Sequence, residues 1–224
     1  MARRETGTDE DGKLRRLPPG RHGLSREFVT RNQRERLIAG TIAAVAEQGF
    51  RETSVTQIAA AAGVSRRTFY GYFKTKEEIF GAAYELFERH LLEAIRDSGE
   101  KARSWSAKVR ARVTTLLDFL GANPDLVRFS LAAPPSAGGE IAERGRAFLA
   151  ALVDELTEGH PEARGDGIAL ELEAMQGSIA AVLTGAVQAA EDEEALGEAA
   201  PQLVELLLAP FLGRRRAIAE AEKA

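Results

Sequence analysis

Apolar residues recur at helical spacing along most of the chain, and no stretch alternates between apolar and polar positions as strands do. The first helical segment is predicted to begin at about Ser25 or Thr30 and to stop at Gly49. Thr30 and Gln33 have the spacing of a capping box at its start. The pattern therefore predicts an all-α fold that opens with one long helix.

Six further helices are predicted after residue 75, each bounded by glycine, proline or a capping residue. The last two are the most apolar. Gly177 and Gly185 lie on the first of these two and indicate a place where another surface packs closely, or else neutral drift. The predicted helices are Lys76 to Arg96, opened by a capping box of Thr75 and Glu78, Ser104 to Leu120, a short one after Asn123-Pro124, Ile141 to Leu156, Ile168 to Ala190 and Pro201 to Ala219, with a loop at 133–139.

Between the first two long helices lie two very short ones joined by a tight turn. Ser54 and Gln57 have the spacing of a capping box for the first short helix, and Gly63 ends that helix in a left-handed conformation. Ser65 caps the second short helix, which is predicted to extend to about Tyr72. A helix, a glycine-containing turn of about four residues and a second helix form a helix-turn-helix.

Charge is distributed unevenly along the chain. Residues 1–76 contain 15 Lys and Arg against 8 Asp and Glu, a net charge of +7, whereas residues 77–224 contain 15 against 26, a net charge of −11. A basic head on an acidic body is typical of a protein whose head binds nucleic acid. The predicted domains are a basic arm at 1–24, a DNA-binding domain at 25–75 and a helical body at 76–224.

The arm has no apolar periodicity, and Pro18 and Pro19 exclude a continuous helix. Its composition predicts disorder away from DNA. The alternative is an arm whose arginines enter a neighbouring minor groove.

The second short helix carries the candidate chemistry. Phe69 and Phe73 are predicted to point inward, which leaves two arginines and several hydroxyl groups outside. Arginine is the commonest reader of guanine in the major groove, and hydroxyl groups or a lysine at a helix start suit phosphate oxygens. The alternative for each arginine is an ordinary solvated surface. The outward residues are Arg66, Arg67, Thr68, Tyr70 and Tyr72, with Lys76 at the start of the next helix.

These residues also carry a family resemblance. The stretch from about Thr30 to Glu88 resembles the DNA-binding domain of TetR-type (tetracycline-repressor-like) transcriptional regulators. The matching residues are Gly49, Thr53-Ser54-Val55, Ile58-Ala59, Ala62-Gly63-Val64-Ser65, Thr68-Phe69-Tyr70, Tyr72-Phe73 and Lys76-Glu77. Gly71 departs from the family, in which a larger side chain often stands there. The candidate DNA-contacting residues are Thr56, Ser65, Arg66, Arg67, Thr68, Tyr70, Tyr72 and Lys76.

The resemblance also implies a homodimer formed through the last two helices and a body that binds a small effector. Mixed large and small apolar residues favour an effector that is mostly apolar, although each candidate lining residue could equally be ordinary core. Because the helix from Lys76 to Arg96 belongs to both parts, it is expected to couple effector and DNA. The candidate lining residues are Phe87, Leu91, Trp105, Leu116, Phe119, Phe129, Met175 and Ile179.

Other classes of function have little support in the sequence. The chain has no cysteine, and His22, His90 and His160 lack the spacing of metal ligands, so neither a cofactor nor a metal is expected. No apolar run reaches the ~20 residues of a membrane span, and the charged N-terminus favours a cytoplasmic protein. The sequence favours a dimeric repressor that binds a palindromic operator in double-stranded DNA and is not an enzyme. The alternatives are a helical adaptor with a TetR-like head and, less favoured, a helical-bundle enzyme.

Overall fold

The computed structural model describes residues 26–131, 139–160, 169–188 and 193–224. Within these ranges the chain is all-α, as predicted, and none of the helices there is long and apolar enough to cross a membrane. The predicted arm at 1–24 and most of the predicted loop at 133–139 lie outside the described residues. The helices are α1 (Arg26–Gln48), α2 (Val55–Ala61), α3 (Arg66–Tyr70), α4 (Lys76–Ser98), α5 (Trp105–Ala122), α6 (Pro124–Leu131), α7 (Gly139–Thr157), α8 (Ala169–Gln188), α9 (Glu193–Leu212) and α10 (Arg214–Ala221).

The chain separates into two compact units, and the division falls inside α4, between Glu85 and Leu86. The sequence places the domain boundary earlier, at residue 75. The first turns of α4 belong to the first unit because Phe80 packs on Phe50, with ring centroids 4.7 Å apart, and on Tyr84, with centroids 6.0 Å apart. These aromatic contacts give the start of α4 its buried face.

Most helix ends of the first unit lie where the sequence predicts them, but two predicted capping boxes are not formed. Gly49 has a φ of +84° and ends α1, as predicted. The capping box of Thr30 and Gln33 is wrong, since α1 already begins at Arg26. At α4 the Thr75 hydroxyl accepts from the Glu78 amide at 3.1 Å, but the Glu78 carboxylate accepts from the Lys74 amide at 2.6 Å instead of completing the box at Thr75.

Helices α1 and α2 approach closely at Gly40. A Cβ atom at this position would lie 2.6 Å from the backbone nitrogen of Ala62, at the end of α2. Backbone atoms cannot yield as a flexible side chain can, so the contact requires glycine. The sequence pattern gives no indication of it, because Gly40 lies within a regular helical segment.

We expect Gly40→Ala to destabilise the first unit by about 1–3 kcal/mol, the usual cost of overpacking. At an ordinary helical position the same change would stabilise by about 1 kcal/mol. Urea unfolding followed by circular dichroism measures the difference. The control is Ala43→Leu, an enlargement at an exposed position of the same helix. A stabilised Gly40→Ala would contradict the close approach.

The second unit is built around α5 and α9. Leu116 of α5, Leu207 of α9 and Phe129 of α6 are fully buried, and α7 and α8 complete the core with Leu152 and Ile179. These apolar faces agree with the helical periodicity. Capping also agrees at α5, where the Ser104 side chain accepts from the Ala107 amide at 3.2 Å.

The C-terminal helix differs most from its prediction. A single helix from Pro201 to Ala219 is wrong: α9 begins at Glu193 and contains Pro201 and Pro210, and Gly213 separates it from α10. Gly213 has a φ of +75°, a conformation that glycine adopts at little cost, and the chain changes direction there.

Candidate nucleic-acid interface

The start of α2 is fixed by the capping box that the sequence predicts. The Ser54 amide donates to Gln57 Oε1 at 2.8 Å, and the Gln57 amide donates to Ser54 Oγ at 3.3 Å. Both donors would otherwise be unpaired at the helix start. Ile58 and Ala59 are buried on the inner face, and Thr56 is exposed.

The turn between α2 and α3 is held from two sides. Gly63 has a φ of +61°, as predicted, and the Val64 amide donates to the Ala59 carbonyl at 2.9 Å. From α1, the Arg36 guanidinium donates to the carbonyls of Ala62 and Gly63, the latter at 3.0 Å. Sequence reasoning misses Arg36, because no local pattern links it to carbonyls 26 and 27 residues away.

Helix α3 is shorter than predicted. It spans Arg66–Tyr70, so its prediction as seven residues to Tyr72 is wrong. Its start agrees: the Ser65 hydroxyl accepts from the Thr68 amide at 3.0 Å and shares a 2.9 Å hydrogen bond with the Thr68 hydroxyl. The Gly71 amide bonds back to the last turn, and the chain then leaves the helical path.

The outer face of α3 presents two arginines and a tyrosine. Phe69 and Phe73 are buried, as predicted, and α3 is therefore held with its other side outward. Arg66 and Arg67 are exposed and form no ion pair with any described residue, while Tyr70 is 52% exposed. Two adjacent solvated guanidinium groups on the first turn of a short, fixed helix can donate to base edges or phosphates.

Two predicted phosphate contacts have other partners in the structure. The Tyr72 hydroxyl donates to Gln33 Oε1 at 2.9 Å, so its only proton is used within the unit. Lys76 Nζ donates to the carbonyls of Phe50, Arg51 and Thr53 at 3.0–3.1 Å and lies 4.6 Å from the centre of the Phe50 ring. An ammonium group has three donors, and this loop takes all three.

We expect Lys76→Gln to lower the stability of the first unit by about 1–3 kcal/mol, because three carbonyls lose a charged donor. The salt dependence of DNA binding should stay unchanged. Urea unfolding and binding at several salt concentrations measure the two effects, with the exposed Lys74→Gln as the control. If the slope of log affinity against log salt falls by about one and stability is unchanged, Lys76 contacts a DNA phosphate as the sequence predicts.

The residues predicted to line an effector site occupy different surroundings in the second unit. Trp105 lines a cavity of about 380 Å³ beside α10, whereas Met175 lines an open groove of about 450 Å³ on α8 and α9. The Phe87 ring packs on Phe119 and Phe148, with centroids 6.4 and 5.4 Å away. Leu91, Leu116, Phe129 and Ile179 are buried.

Comparison with known proteins agrees with this geometry. Residues 37–90 match the model of the tetR family of bacterial regulatory proteins, over the second half of α1, the helix-turn-helix of α2 and α3, and most of α4. This part of the chain is therefore similar to tetR-family regulators.

Curated relatives match only part of the chain. Over 82 residues the chain is 34% identical to the nucleoid occlusion factor SlmA of Haemophilus ducreyi, covering 37% of this chain and 41% of SlmA. Over 64 residues it is 42% identical to the transcriptional regulator BetI of Yersinia pestis, covering 29% of this chain and 32% of BetI. The chain thus spans less than half of either relative.

Similarity in fold extends further along the chain than this sequence identity. The regulator FadR of Bacillus subtilis, solved in complex with stearoyl-CoA, has a TM-score of 0.65 to this chain at 20% identity. The alignment covers 80% of this chain and 98% of FadR. The all-α fold with an N-terminal helix-turn-helix is therefore shared with known regulators.

Proposed function

We propose that this protein is a DNA-binding transcriptional regulator, a repressor that binds a palindromic operator as a homodimer and leaves it when an effector binds. The observation that carries the proposal is the outer face of α3, where Arg66 and Arg67 are exposed without an ion pair to the described residues. The match of residues 37–90 to the tetR family model supports the same function. An adaptor that kept this head without reading DNA would have no need of the two free arginines.

The other exposed residues fit contacts around the arginines. Tyr70 can pack its ring or direct its hydroxyl against DNA from the last turn of α3, since it is 52% exposed. Thr56 and Ser65 lie at the starts of α2 and α3, where hydroxyl groups and backbone amides suit phosphate oxygens. Thr68 is half-buried, and its hydroxyl already shares a hydrogen bond with Ser65. We therefore assign base reading to Arg66 and Arg67 and backbone positioning to the hydroxyl groups.

The proposed dimer uses an exposed face of α8 and α9. Gly177, Ala181 and Gly185 are exposed and four residues apart, so they share one side of α8, and a Cβ atom on either glycine would meet nothing within 4 Å. The adjoining groove is lined by Met175 and by Leu206 and other residues of α9. A smooth apolar face of small residues allows a second copy of the helices to approach closely.

We expect Ala181→Glu to convert the dimer into a monomer at micromolar concentration, because it places a carboxylate where the helices of two copies meet. The matched control is Ala147→Glu, which introduces the same side chain at an exposed position of α7. Light scattering measures the mass of both variants. A wild-type protein that is already monomeric, or an Ala181→Glu variant that stays dimeric, would contradict the proposed interface.

The effector is proposed to be a mostly apolar small molecule bound within the second unit. The structure of FadR with stearoyl-CoA gives one such ligand in a protein of the same fold. Helix α4 is continuous from the first unit into the second, and it offers a path by which a bound molecule can act on DNA binding. By linkage, operator DNA must weaken effector binding by the factor by which effector weakens DNA binding. Titration of a compound with and without operator tests this equality.

The proposed function predicts DNA binding that is both sequence-selective and steeply salt-dependent. Fluorescence anisotropy on a specific fragment and a shuffled fragment of equal length, at several salt concentrations, measures both properties. An adaptor or an enzyme would bind the two fragments equally or not at all.

A further inference from the structure

Within the second unit, a cavity lies where α5, the end of α9 and α10 meet His160. The break at Gly213 turns α10 away from the line of α9, so that the end of one helix and the side of the other border the same space. The cavity has a volume of about 380 Å³, within the range of small-molecule sites. It is lined by Trp105, Ser106, His160, Leu212, Arg216, Ala219 and Glu220.

One side of this cavity is a fixed aromatic cluster. The Trp105 ring lies 4.4 Å from the His160 ring and 5.1 Å from the Phe211 ring, measured between centroids, and the last two are 4.7 Å apart. The indole N–H of Trp105 donates to the Thr157 carbonyl at 3.1 Å, which sets the orientation of the ring. A ring held in this way offers a preformed surface for a planar apolar body.

Of the two charged residues that line the cavity, Glu220 is paired with described residues and Arg216 is not. Glu220 is paired with Arg110 and, at 2.6 Å, with Lys223, so its carboxylate is already neutralised. Arg216 lines the cavity, is exposed and forms no ion pair with any described residue. A guanidinium group next to an aromatic wall suits a carboxylate attached to a ring. An aromatic cation would find no unpaired carboxylate here.

From these contacts we propose that the cavity is a binding site for a small planar aromatic monoanion. The ring of the ligand packs against Trp105 and Leu212, and its carboxylate accepts hydrogen bonds from Arg216. This site shares only Trp105 with the eight residues expected to line the effector site. It requires no DNA binding, so it stands or falls independently of the proposed function.

Trp105 is the one tryptophan of the chain, and its fluorescence therefore reports directly on this site. 4-Nitrobenzoate is a suitable probe because nitroaromatic rings quench indole fluorescence on contact. We expect saturable quenching by 4-nitrobenzoate and about tenfold weaker binding of the neutral 4-nitrobenzamide, the loss typical of one charge-assisted hydrogen bond. Arg216→Gln should weaken 4-nitrobenzoate by the same factor. Arg215→Gln, at the neighbouring exposed position outside the cavity, should leave the affinity unchanged.

Three results would overturn the proposal: quenching that rises linearly without saturation, equal affinity for the acid and the amide, or an Arg216→Gln variant that binds as the wild type does. Circular dichroism confirms that each variant is folded. Incorporation of 5-fluorotryptophan provides a second readout, since the fluorine resonance of Trp105 should shift on addition of 4-nitrobenzoate in the wild type and in Arg215→Gln. The same shift in Arg216→Gln would again contradict the assignment.

Discussion

Replacing Arg66 or Arg67 by alanine should reduce binding to the specific operator by about 2–6 kcal/mol. A bidentate contact between arginine and guanine contributes about 1–3 kcal/mol of discrimination, and a homodimer loses the contact in both half-sites. Both side chains are exposed on the first turn of α3 and carry no competing ion pair among the described residues. The effect should therefore appear in sequence selectivity more than in stability.

The control for this prediction is Lys74→Ala, which removes an exposed cation of the same unit three residues beyond Gly71. It should weaken specific and shuffled DNA by similar small factors. Anisotropy titrations of the three variants on both fragments separate base reading from general electrostatic attraction. If either arginine variant loses equal affinity for the two fragments, that arginine contacts phosphate and does not read bases.

Arg112→Ala should cost the second unit about 3–5 kcal/mol of unfolding free energy, the typical penalty for breaking a buried ion pair. The Arg112 side chain is only 1% exposed. Its Nη2 atom lies 2.7 Å from Glu158 Oε2 and 3.4 Å from Glu155 Oε1, and its Nη1 atom donates to the Glu155 carbonyl. Removal of the guanidinium leaves the Glu155 carboxylate, whose side chain is 11% exposed, with Arg96 at 2.8 Å as its remaining cationic partner.

Two comparisons identify the cause of this loss. Arg103→Ala removes an exposed arginine of the same unit and should change stability by less than about 0.5 kcal/mol. The double variant Arg112→Met/Glu155→Met should be more stable than Arg112→Met, because it removes a largely buried carboxylate that has lost one of its two cationic partners. Denaturation followed by Trp105 fluorescence measures all four proteins. Equal stability of the single and double variants would show that lost packing, and not the weakened pairing of Glu155, is responsible.

The same cluster gives a direction for the pH dependence. Hydrogen bonds from Arg112 and Lys108 lower the pKa of Glu158 below its ordinary value. A lowered pKa in the folded state contributes stability above the ordinary glutamate pKa, and this contribution is lost as the pH falls through the folded value. Arg112→Met should therefore lose less stability than the wild type on acidification. The difference should be small, because the Glu158 side chain is 44% exposed and screened by solvent.

The helix-turn-helix was predictable because its signals are local. The Ser54 box, the left-handed Gly63 and the Ser65 cap each depend on residues three or four positions apart, and the structure contains all three. The length of α3 was not predictable in the same way. Gly71 follows the last residue of α3 but still has a helical φ of −76°. The sequence therefore does not distinguish a helix end at this glycine from a continued helix.

Features that depend on distant residues were missed. The ammonium of Lys76 reaches carbonyls 23–26 residues earlier, and Gly40 is required only by the backbone of Ala62. No pattern within α1 or α4 carries this information. The bend at Gly213 was missed for another reason: the apolar periodicity of α9 leads up to it without interruption, and a single glycine can either continue a helix or end it.

The residues that line an effector site are the feature that apolar periodicity predicts least well. A buried phenylalanine has the same pattern whether it faces a ligand or another ring, and Phe87 contacts Phe119 and Phe148. Charged groups are more informative, because an unpaired arginine beside an aromatic cluster has few structural roles. This difference explains why the proposed site for an aromatic anion centres on Arg216, which is absent from the apolar pattern.

Selection of bound sequences from a random DNA pool shows whether this protein reads specific DNA as a dimer. A homodimer that reads DNA with α3 should enrich a pseudo-palindrome whose half-sites are about 10 base pairs apart or a multiple of that, one helical turn of DNA. Guanines are expected in both half-sites, at positions whose preference weakens when the selection is repeated with Arg66→Ala or Arg67→Ala. A pool that shows no enrichment after repeated rounds, or the same enriched site for wild type and both variants, would contradict base reading by α3.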